Sequence, residues 1–506
     1  MIKYQLKEYI ALLEDSHVLR DIHLSDTCMN TVVELVSCDS KEVVKNTLFI
    51  CKGAHFKEQY LLDAQNAGAF AYVSEVEYPN IQLPWIPVND IRYAMAVFAT
   101  MYYNNPWKDL NLIGITGTKG KSTTTYYVKS ILDTYLNRLN KNESAVVSSI
   151  GTYDGVERYE SHITTPEPLE LQKHFHNAVN SDIEYLTMEV SSQALKYDRV
   201  LGVNFSVGAF LNIGYDHVSA IEHPTWEDYF HSKLRIFKQC SSAVVNLDSD
   251  HADEIMHASK DVKQVITFSE KDESADIYGN NVHKSGQLIE FQVRGKDFDE
   301  KFCLSMPGLF NVSNALCAIA IARIFEIPVE DIQQGLKVAR VPGRMEIYTS
   351  KDSKITAIVD YAHNQLSFQK LFESVKKEYP HHHISIVFGC PGGKAFDRRH
   401  DLGEIVGKYA DHAYITEEDA GEEDVLSICK EIAQAVQKEN GSYEIIIDRP
   451  QAIHQAISDA SILQQDSVIL LTGKGAETRQ KRGTQYITVP SDVECVNMEL
   501  EKYHIQ

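Results

Sequence analysis

The 506-residue chain has no basic excess: 49 Lys and Arg against 71 Asp and Glu leave a formal charge of −22 and a pI near 5.4. A surface of that sign repels nucleic acid and anionic membranes, so neither is expected as a partner, and basic residues should sit where a particular anion is held. The nine cysteines lack the close spacings of a zinc site. No cleavable apolar leader follows Met1, and no apolar run is long enough to cross a bilayer. A reduced, cytoplasmic protein is expected. Its length exceeds what one core supports, so two to four domains are expected.

What the chain does have is Ile113-Gly114-Ile115-Thr116-Gly117-Thr118-Lys119-Gly120-Lys121-Ser122-Thr123, followed by a helical stretch through Leu132. An apolar strand breaking into glycines and entering a helix at Lys-Ser is a phosphate-binding loop. Backbone N–H groups and the positive helix end face an anion, Lys121 reaches the β- and γ-phosphates, and the Ser122 hydroxyl can ligate Mg²⁺. The strict Walker spacing would need glycine where Ile115 stands.

Residues 1–105 read as a small α/β unit, with strands Thr47-Leu48-Phe49-Ile50 and Ala69-Phe70-Ala71-Tyr72-Val73 around a helix that stops at Gly68. A linker at Asn104-Asn105-Pro106 opens a central unit, residues 106–338. There, Tyr185-Leu186-Thr187-Met188-Glu189 reads as a strand ending in a carboxylate suited to Mg²⁺, and Thr165-Pro166 as a helix entrance, Thr165 capping. In residues 339–506, strands near 356, 384, 413, 443 and 468 alternate with helices, the pattern of a Rossmann-like parallel sheet. His381-His382-His383 reads as a solvated loop.

Thr116–Ser122 resembles the TGT(N/K)GK(T/S) loop of the Mur ligases, ATP-dependent amide-forming enzymes of peptidoglycan synthesis, and of the related folylpolyglutamate synthetases. About eight separated motifs in order extend the resemblance over nearly the whole chain and toward the Mur-E type. It implies an α/β fold of three domains: a UDP-substrate-binding N-terminal domain, a central ATPase domain and a C-terminal Rossmann-like domain. Hinges are implied near residues 105 and 339.

The resemblance also implies site roles. Thr116, Gly117, Thr118, Lys119, Gly120, Lys121, Ser122 and Thr123 would bind ATP, together with Asn311 of the FN-x-x-NA helix start, Arg344 of the PGRME segment, and Asp360 and His363 of the DYAHN loop. Ser122, Glu189 of EVSS and His217 would hold two Mg²⁺ ions, and Lys233 would be carbamylated; Lys121, Glu189, His217 and Lys233 form the catalytic set. UDP-MurNAc-dipeptide would meet Ser40, in a Cys38-Asp39-Ser40-Lys41 turn where relatives carry DSR, and Thr164 and Thr165 of a TTP loop, with Ser191 and Arg199. Lys394 would bind substrate, and Glu418, Asp419, Gly473 and Glu477 would meet the incoming amino acid, the last two within a Gly-Lys-Gly-Ala-Glu version of the GKGHE loop. Departures fall at Lys41, Gln193, Gln365 and Ala476, where relatives carry Arg, His, Pro and His.

Diaminopimelate enzymes carry DNPR after the strand near 413, their arginine pairing with the substrate's second carboxylate. Here that place is Gly421, amid Glu418, Asp419, Glu422 and Glu423. An acidic pocket rejects a carboxylate and attracts an ammonium, which favours L-lysine and leaves diaminopimelate and ornithine open. A folylpolyglutamate synthetase and a non-catalytic Mur-like subunit are the other readings. A monomer is expected.

Overall fold

The computed structural model describes residues 2–53, 56–161, 163–214, 222–286 and 288–503. The chain divides into two compact units. Met1–Gly279, Val293–Asp299 and Asn314–Gly335 form the first, and Asn280–Gln292, Glu300–Ser313 and Leu336–Gln506 the second.

The first unit opens with a four-stranded parallel sheet: Leu35–Ser37, Thr47–Ile50, Ala69–Ser74 and Trp85–Pro87, neighbours in chain order. Helix Glu58–Ala67 ends as expected at Gly68, whose φ of 115° is the left-handed C-cap. Helices Leu6–Asp15 and Ile91–Tyr102 pack Leu6, Tyr9, Ile10, Met95 and Phe98 into the core with Leu48, Ile50 and Val73.

Eight consecutive strands of a larger, eleven-stranded sheet lie in the same unit, in the order Gln264–Ser269, Cys240–Asn246, Phe205–Phe210, Asn111–Thr116, Tyr185–Glu189, Ala145–Val147, Gly151–Tyr153, Arg158–Glu160. The first six pair in parallel and the last two turn antiparallel. Leu112, Ile113 and Ile115 are fully buried, which explains why this strand reads as a continuous apolar run rather than an alternating one. Gly114 fits because a Cβ there would stand 2.9 Å from the Phe205 ring. Strand Asn111–Thr116 lies between Phe205–Phe210 and Tyr185–Glu189, so the loops after all three emerge at one carboxyl edge, where open α/β sheets bind ligands.

The second unit carries a six-stranded sheet in the order Glu346–Thr349, Ile355–Asp360, Ser467–Thr472, His383–Phe388, His412–Ile415, Tyr443–Ile445. All five strands read from the sequence are present and parallel. The sequence reading missed two elements: the antiparallel edge strand Glu346–Thr349, and a hairpin of Arg479–Arg482 with Gln485–Thr488. Both are short and polar, so periodicity gives them no signature. The α/β class with parallel sheets agrees with expectation. One local expectation fails. Thr165 does not cap a helix; the helix is Pro168–Asn180, with Glu167 at its N-cap and Pro168 in the first turn.

Candidate active site

The phosphate loop is built by two glycines in conformations that L side chains rarely adopt, Gly117 at φ 150° and Gly120 at φ 87°. A Cβ on Gly117 would lie 2.9 Å from the Leu211 Cβ, and one on Gly120 only 2.2 Å from the Asn314 Oδ1. Asn212, which had no role in the sequence reading, clamps the loop. Its amide donates to the Lys119 carbonyl at 3.0 Å and accepts from the Lys119 N–H at 2.9 Å, while its own carbonyl accepts from the Thr118 N–H at 3.0 Å. Gly120→Ala combines left-handed backbone strain of about 1 to 3 kcal/mol with a steric conflict. It is expected to weaken ATP binding tenfold or more in equilibrium titration.

Lys121 Nζ donates to the carbonyls of Gly117 and Thr118 at 2.9 and 3.3 Å. Ser122 follows at the start of helix Lys121–Arg138, whose positive end faces the loop. Its hydroxyl is 3.1 Å from the Ser149 hydroxyl, and Ser149 in turn donates its N–H and hydroxyl to Glu189 Oε1 at 2.9 and 3.0 Å. Two groups expected to meet a metal, Ser122 and Glu189, are thus joined through a serine the sequence did not flag. Glu189 is nearly fully buried. Lys233, on helix Trp226–Leu234, is buried too; its Nζ donates to the Gly117 carbonyl at 3.0 Å and lies 4.7 Å from the Tyr229 ring centre. The Tyr229 hydroxyl is 3.1 Å from the Thr118 hydroxyl. His217 lies outside the described residues.

Beside this loop, Thr165 donates its hydroxyl to the Glu189 carbonyl at 2.9 Å and accepts the Ser191 N–H at 3.1 Å. The TTP segment is therefore stitched to the strand that carries Glu189. Ser191 caps helix Ser192–Lys196, accepting the Ala194 N–H. Arg199 donates to the Thr165 carbonyl at 3.1 Å and pairs with Glu167 at 2.9 Å, and Lys52 reaches the same Glu167. Thr164 and Ser40 are half-exposed; the turn holding Ser40 is closed by Asp39 Oδ1, which accepts the Lys41 N–H at 2.9 Å. Thr165, Ser191 and Arg199 thus stand with Glu189 at one edge.

The second unit collects the remaining residues. Asp360 accepts the N–H groups of Met345 and Ala362 at 2.9 and 2.8 Å, and burial holds its carboxyl above the usual range. Arg344 lies 4.4 Å from the Tyr361 ring centre, and His363 Nδ1 is 2.7 Å from the Tyr361 carbonyl. Where relatives have proline, Gln365 opens helix Gln365–Glu378 behind an Asn364–Ser367 capping box. Asn311 is buried at the start of helix Asn311–Ile324, its amide donating to the Pro307 carbonyl at 2.7 Å. Lys394 is exposed on its loop.

The acidic run is taken apart by its partners. Glu417 is held by Arg482 of the hairpin. Asp419 Oδ1 accepts the Lys481 N–H at 2.8 Å and the Lys474 ammonium at 3.1 Å. Glu423 does not edge the pocket as expected: it pairs with Arg399 and accepts the Gly393 N–H, while Glu422 is exposed. Glu477 accepts from Lys474 at 2.7 Å and from the Tyr361 hydroxyl at 2.8 Å. Glu418 remains, 8% exposed and without a hydrogen-bond partner among the described residues. Its carboxylate presses on Gly473, φ 97°, where a Cβ would stand 2.1 Å from Oε2. Burial pushes its carboxyl up to about 7, against the opposing pull of Arg449 and Lys474.

Two family models match the chain: the Mur ligase middle domain over residues 115–322, and the Mur ligase, glutamate ligase domain over residues 343–475. A UDP-N-acetylmuramyl-tripeptide synthetase of Lactobacillus delbrueckii subsp. bulgaricus is 35% identical over 502 residues, covering 94% of this chain and 95% of the relative. The chain belongs to the Mur ligase family. A UDP-N-acetylmuramoyl-L-alanyl-D-glutamate–L-lysine ligase of Enterococcus faecalis is 37% identical over 481 residues, 94% of this chain and 92% of the relative. Among solved structures, a UDP-N-acetylmuramoyl-L-alanyl-D-glutamate–2,6-diaminopimelate ligase aligns with a TM-score of 0.67 at 21% identity over 99% of this chain and all of that one. That likeness speaks to the Mur ligase fold. Among the described residues no helix is long and apolar enough to cross a membrane.

Proposed function

We propose that the chain is an ATP-dependent ligase that joins a diamino acid, L-lysine, to UDP-MurNAc-L-Ala-D-Glu and releases ADP and phosphate. The observation that carries this reading is the Lys121, Ser122–Ser149–Glu189 and Lys233 constellation at one sheet edge, in a Mur ligase whose tripeptide-synthetase and L-lysine-ligase relatives align over nearly all of it. The N–H groups of the loop, the helix end and Lys121 suit a triphosphate, and the hydroxyl and carboxylate oxygens of Ser122 and Glu189 suit a hard cation. Mg²⁺ held by Ser122, Glu189 and His217 would neutralise the β- and γ-phosphates.

Lys121 leaves its loop carbonyls for the γ-phosphoryl group and stabilises its charge during transfer. The D-Glu carboxylate oxygen bonds to the γ-phosphorus, the bond to the β-phosphate oxygen breaks, and an acyl phosphate forms. Thr165, Ser191, Arg199, Thr164 and Ser40 hold the UDP-MurNAc-dipeptide in line. The neutral amine then attacks the acyl carbon, the bond from that carbon to the phosphate oxygen breaks, the nitrogen gives up one proton to the departing phosphate, and an amide remains. Lys233 acts as its carbamate, Asn311, Arg344, Asp360 and His363 contact ATP, Lys394 binds substrate, and the amino acid binds at Glu418, Asp419, Gly473 and Glu477. The protein works as a cytoplasmic monomer divided at residues 1–105, 106–338 and 339–506.

The test is phosphate release from ATP with UDP-MurNAc-L-Ala-D-Glu and, separately, L-lysine, meso-diaminopimelate, L-ornithine or no amino acid. Release with lysine supports the reading; release with diaminopimelate alone keeps the ligase and removes the acidic-pocket argument. Silence throughout, with ATP bound, points to a folate-type substrate or a non-catalytic subunit. Because the Glu418 carboxyl loses its proton near pH 7, a bound ammonium should be favoured above that pH. The kcat/KM for lysine is expected to fall up to tenfold per unit as pH drops below about 7, and this step should vanish in Glu418→Gln.

A further inference from the structure

His223 and Ser192 lie outside the catalytic set, yet both are buried beside the elements that carry it. His223 is fully buried, and each ring nitrogen has a partner: Nδ1 is 2.6 Å from Asp228 Oδ2, and Nε2 is 3.0 Å from the Ser192 hydroxyl. Burial holds the imidazolium below its ordinary range, against the pull of Asp228, so the ring is neutral. The Asp228 carboxyl, in spite of its own desolvation, is held low by Lys196 and His223 and can only accept. The tautomer follows from these partners. Nδ1–H donates to Asp228, and Nε2 accepts the Ser192 hydroxyl.

The ring joins two segments that lie apart in the chain. Ser192 follows the strand that ends at Glu189 and opens helix Ser192–Lys196, whereas Asp228 lies in the first turn of helix Trp226–Leu234, which carries Lys233. Two further ties run between these helices. Lys196 Nζ donates to Asp228 at 2.7 Å and to the Glu222 carbonyl at 3.2 Å, and Arg235, just past the second helix, donates to the Lys196 carbonyl at 3.1 Å. Clamping the first turn fixes the rotation of a helix of only 9 residues. Tyr229 and Lys233, one turn apart, share the face so set. The Tyr229 ring stands edge-on to His223 with centres 5.3 Å apart, and its hydroxyl is 3.1 Å from the Thr118 hydroxyl. Lys233 Nζ lies 4.7 Å from the same ring while it donates to the Gly117 carbonyl. A chain of contacts thus runs from the end of the Glu189 strand through His223 to the phosphate loop.

We propose that His223 is a positioning residue for the ligase reaction: with Ser192 and Asp228 it fixes the rotation of helix Trp226–Leu234 and so holds the Lys233 nitrogen at the phosphate loop. The proposal rests on the reading of Lys233 as catalytic. An imidazole suits the task because its two nitrogens reach partners on two elements at once, where an apolar side chain would leave the buried Ser192 hydroxyl unmet. His223 acts only through Lys233, so its loss slows the chemical step and spares the binding of ATP, UDP-MurNAc-dipeptide and amino acid.

Phosphate release by the full-length enzyme with ATP, UDP-MurNAc-L-Ala-D-Glu and L-lysine is measured for His223→Asn, for Lys233→Ala and for the two combined. Asn keeps a donor near the place of Nδ1 but stops short of Ser192. His223→Asn is expected to lower kcat at least about fivefold with every KM within about threefold of wild type, and to cost less than about threefold where Lys233 is already Ala, because two residues acting as one unit do not lose their effects twice. A smaller loss of kcat, a loss carried by KM, or a larger loss in the Lys233→Ala background overturns the proposal. If Lys233→Ala has no measurable rate, the division between kcat and KM decides by itself. If His223→Asn does not fold, Ser192→Ala, which leaves the ring in place and removes one of its partners, goes through the same cycle and decides. Lys233→Ala with the wild-type kcat overturns the reading of Lys233 and the proposal with it, and wild-type protein that binds ATP but releases no phosphate overturns the assigned reaction. Both differ from the result that sinks the proposal alone, a slow Lys233→Ala beside a fast His223→Asn.

Discussion

Lys121→Ala is expected to cut amino-acid-dependent phosphate release about a thousandfold, the scale on which a charge aimed at a transition state acts. The loop should survive the loss. Lys121 Nζ donates to the Gly117 and Thr118 carbonyls, but Lys233 donates to the same Gly117 oxygen at 3.0 Å, and Asn212 clamps Lys119 from both sides. Removing these two hydrogen bonds should cost about 1 to 3 kcal/mol of stability at most. The measurement pairs single-turnover phosphate release with thermal melting: a collapse in rate with a Tm within a few degrees of wild type supports a role in chemistry. A parallel fall in both would make Lys121 a structural residue. Lys121→Arg is not expected to rescue, because a planar fork cannot take the place of a compact ammonium between two carbonyls.

Glu189→Gln is expected to lower kcat about a hundredfold or more and to raise the Mg²⁺ concentration needed for half-maximal rate. The substitution is nearly isosteric. Gln keeps an oxygen to accept from the Ser149 N–H and hydroxyl, and the Thr165 hydroxyl bonds to the main-chain carbonyl of residue 189, so the local structure should hold. What disappears is one negative charge, buried at the end of strand Tyr185–Glu189 and linked through Ser149 to Ser122. A hard divalent cation depends on that charge more than on oxygen geometry alone. An unchanged Mg²⁺ requirement would remove Glu189 from the metal and leave it as an anchor for Ser149.

These predictions draw unequally on sequence and structure. The strand–loop–helix unit around Lys121 was legible because its signals are local: glycines at fixed spacing, an apolar run before them and a helical stretch after them. The strands of the second unit were legible for the same reason, as short apolar runs between helical stretches. The link from Ser122 to Glu189 was not, because Ser149 lies far from both in sequence and a serine before an isoleucine carries no pattern of its own. Asn212 escaped likewise, since an amide at a strand end looks like any loop residue until its partner is known. The Thr165 expectation failed by misplacing a helix start: Thr-Thr-Pro is a good entrance locally, but the hydroxyl is taken by the Glu189 carbonyl and the Ser191 N–H, and a second proline two residues on begins the helix.

By itself the sequence determined the α/β class, the phosphate loop, the order of the motifs and the acidity of the segment after Ile415, because each is written in neighbouring residues. Only the tertiary structure decided which of those acids has a charge left to offer. Arg482, Arg399 and Lys474 reach Glu417, Glu423, Asp419 and Glu477, and Gly473 leaves room for Glu418. Pairing between buried charges depends on which loops the sheet brings together at its carboxyl edge, and most of these partners are far apart along the chain.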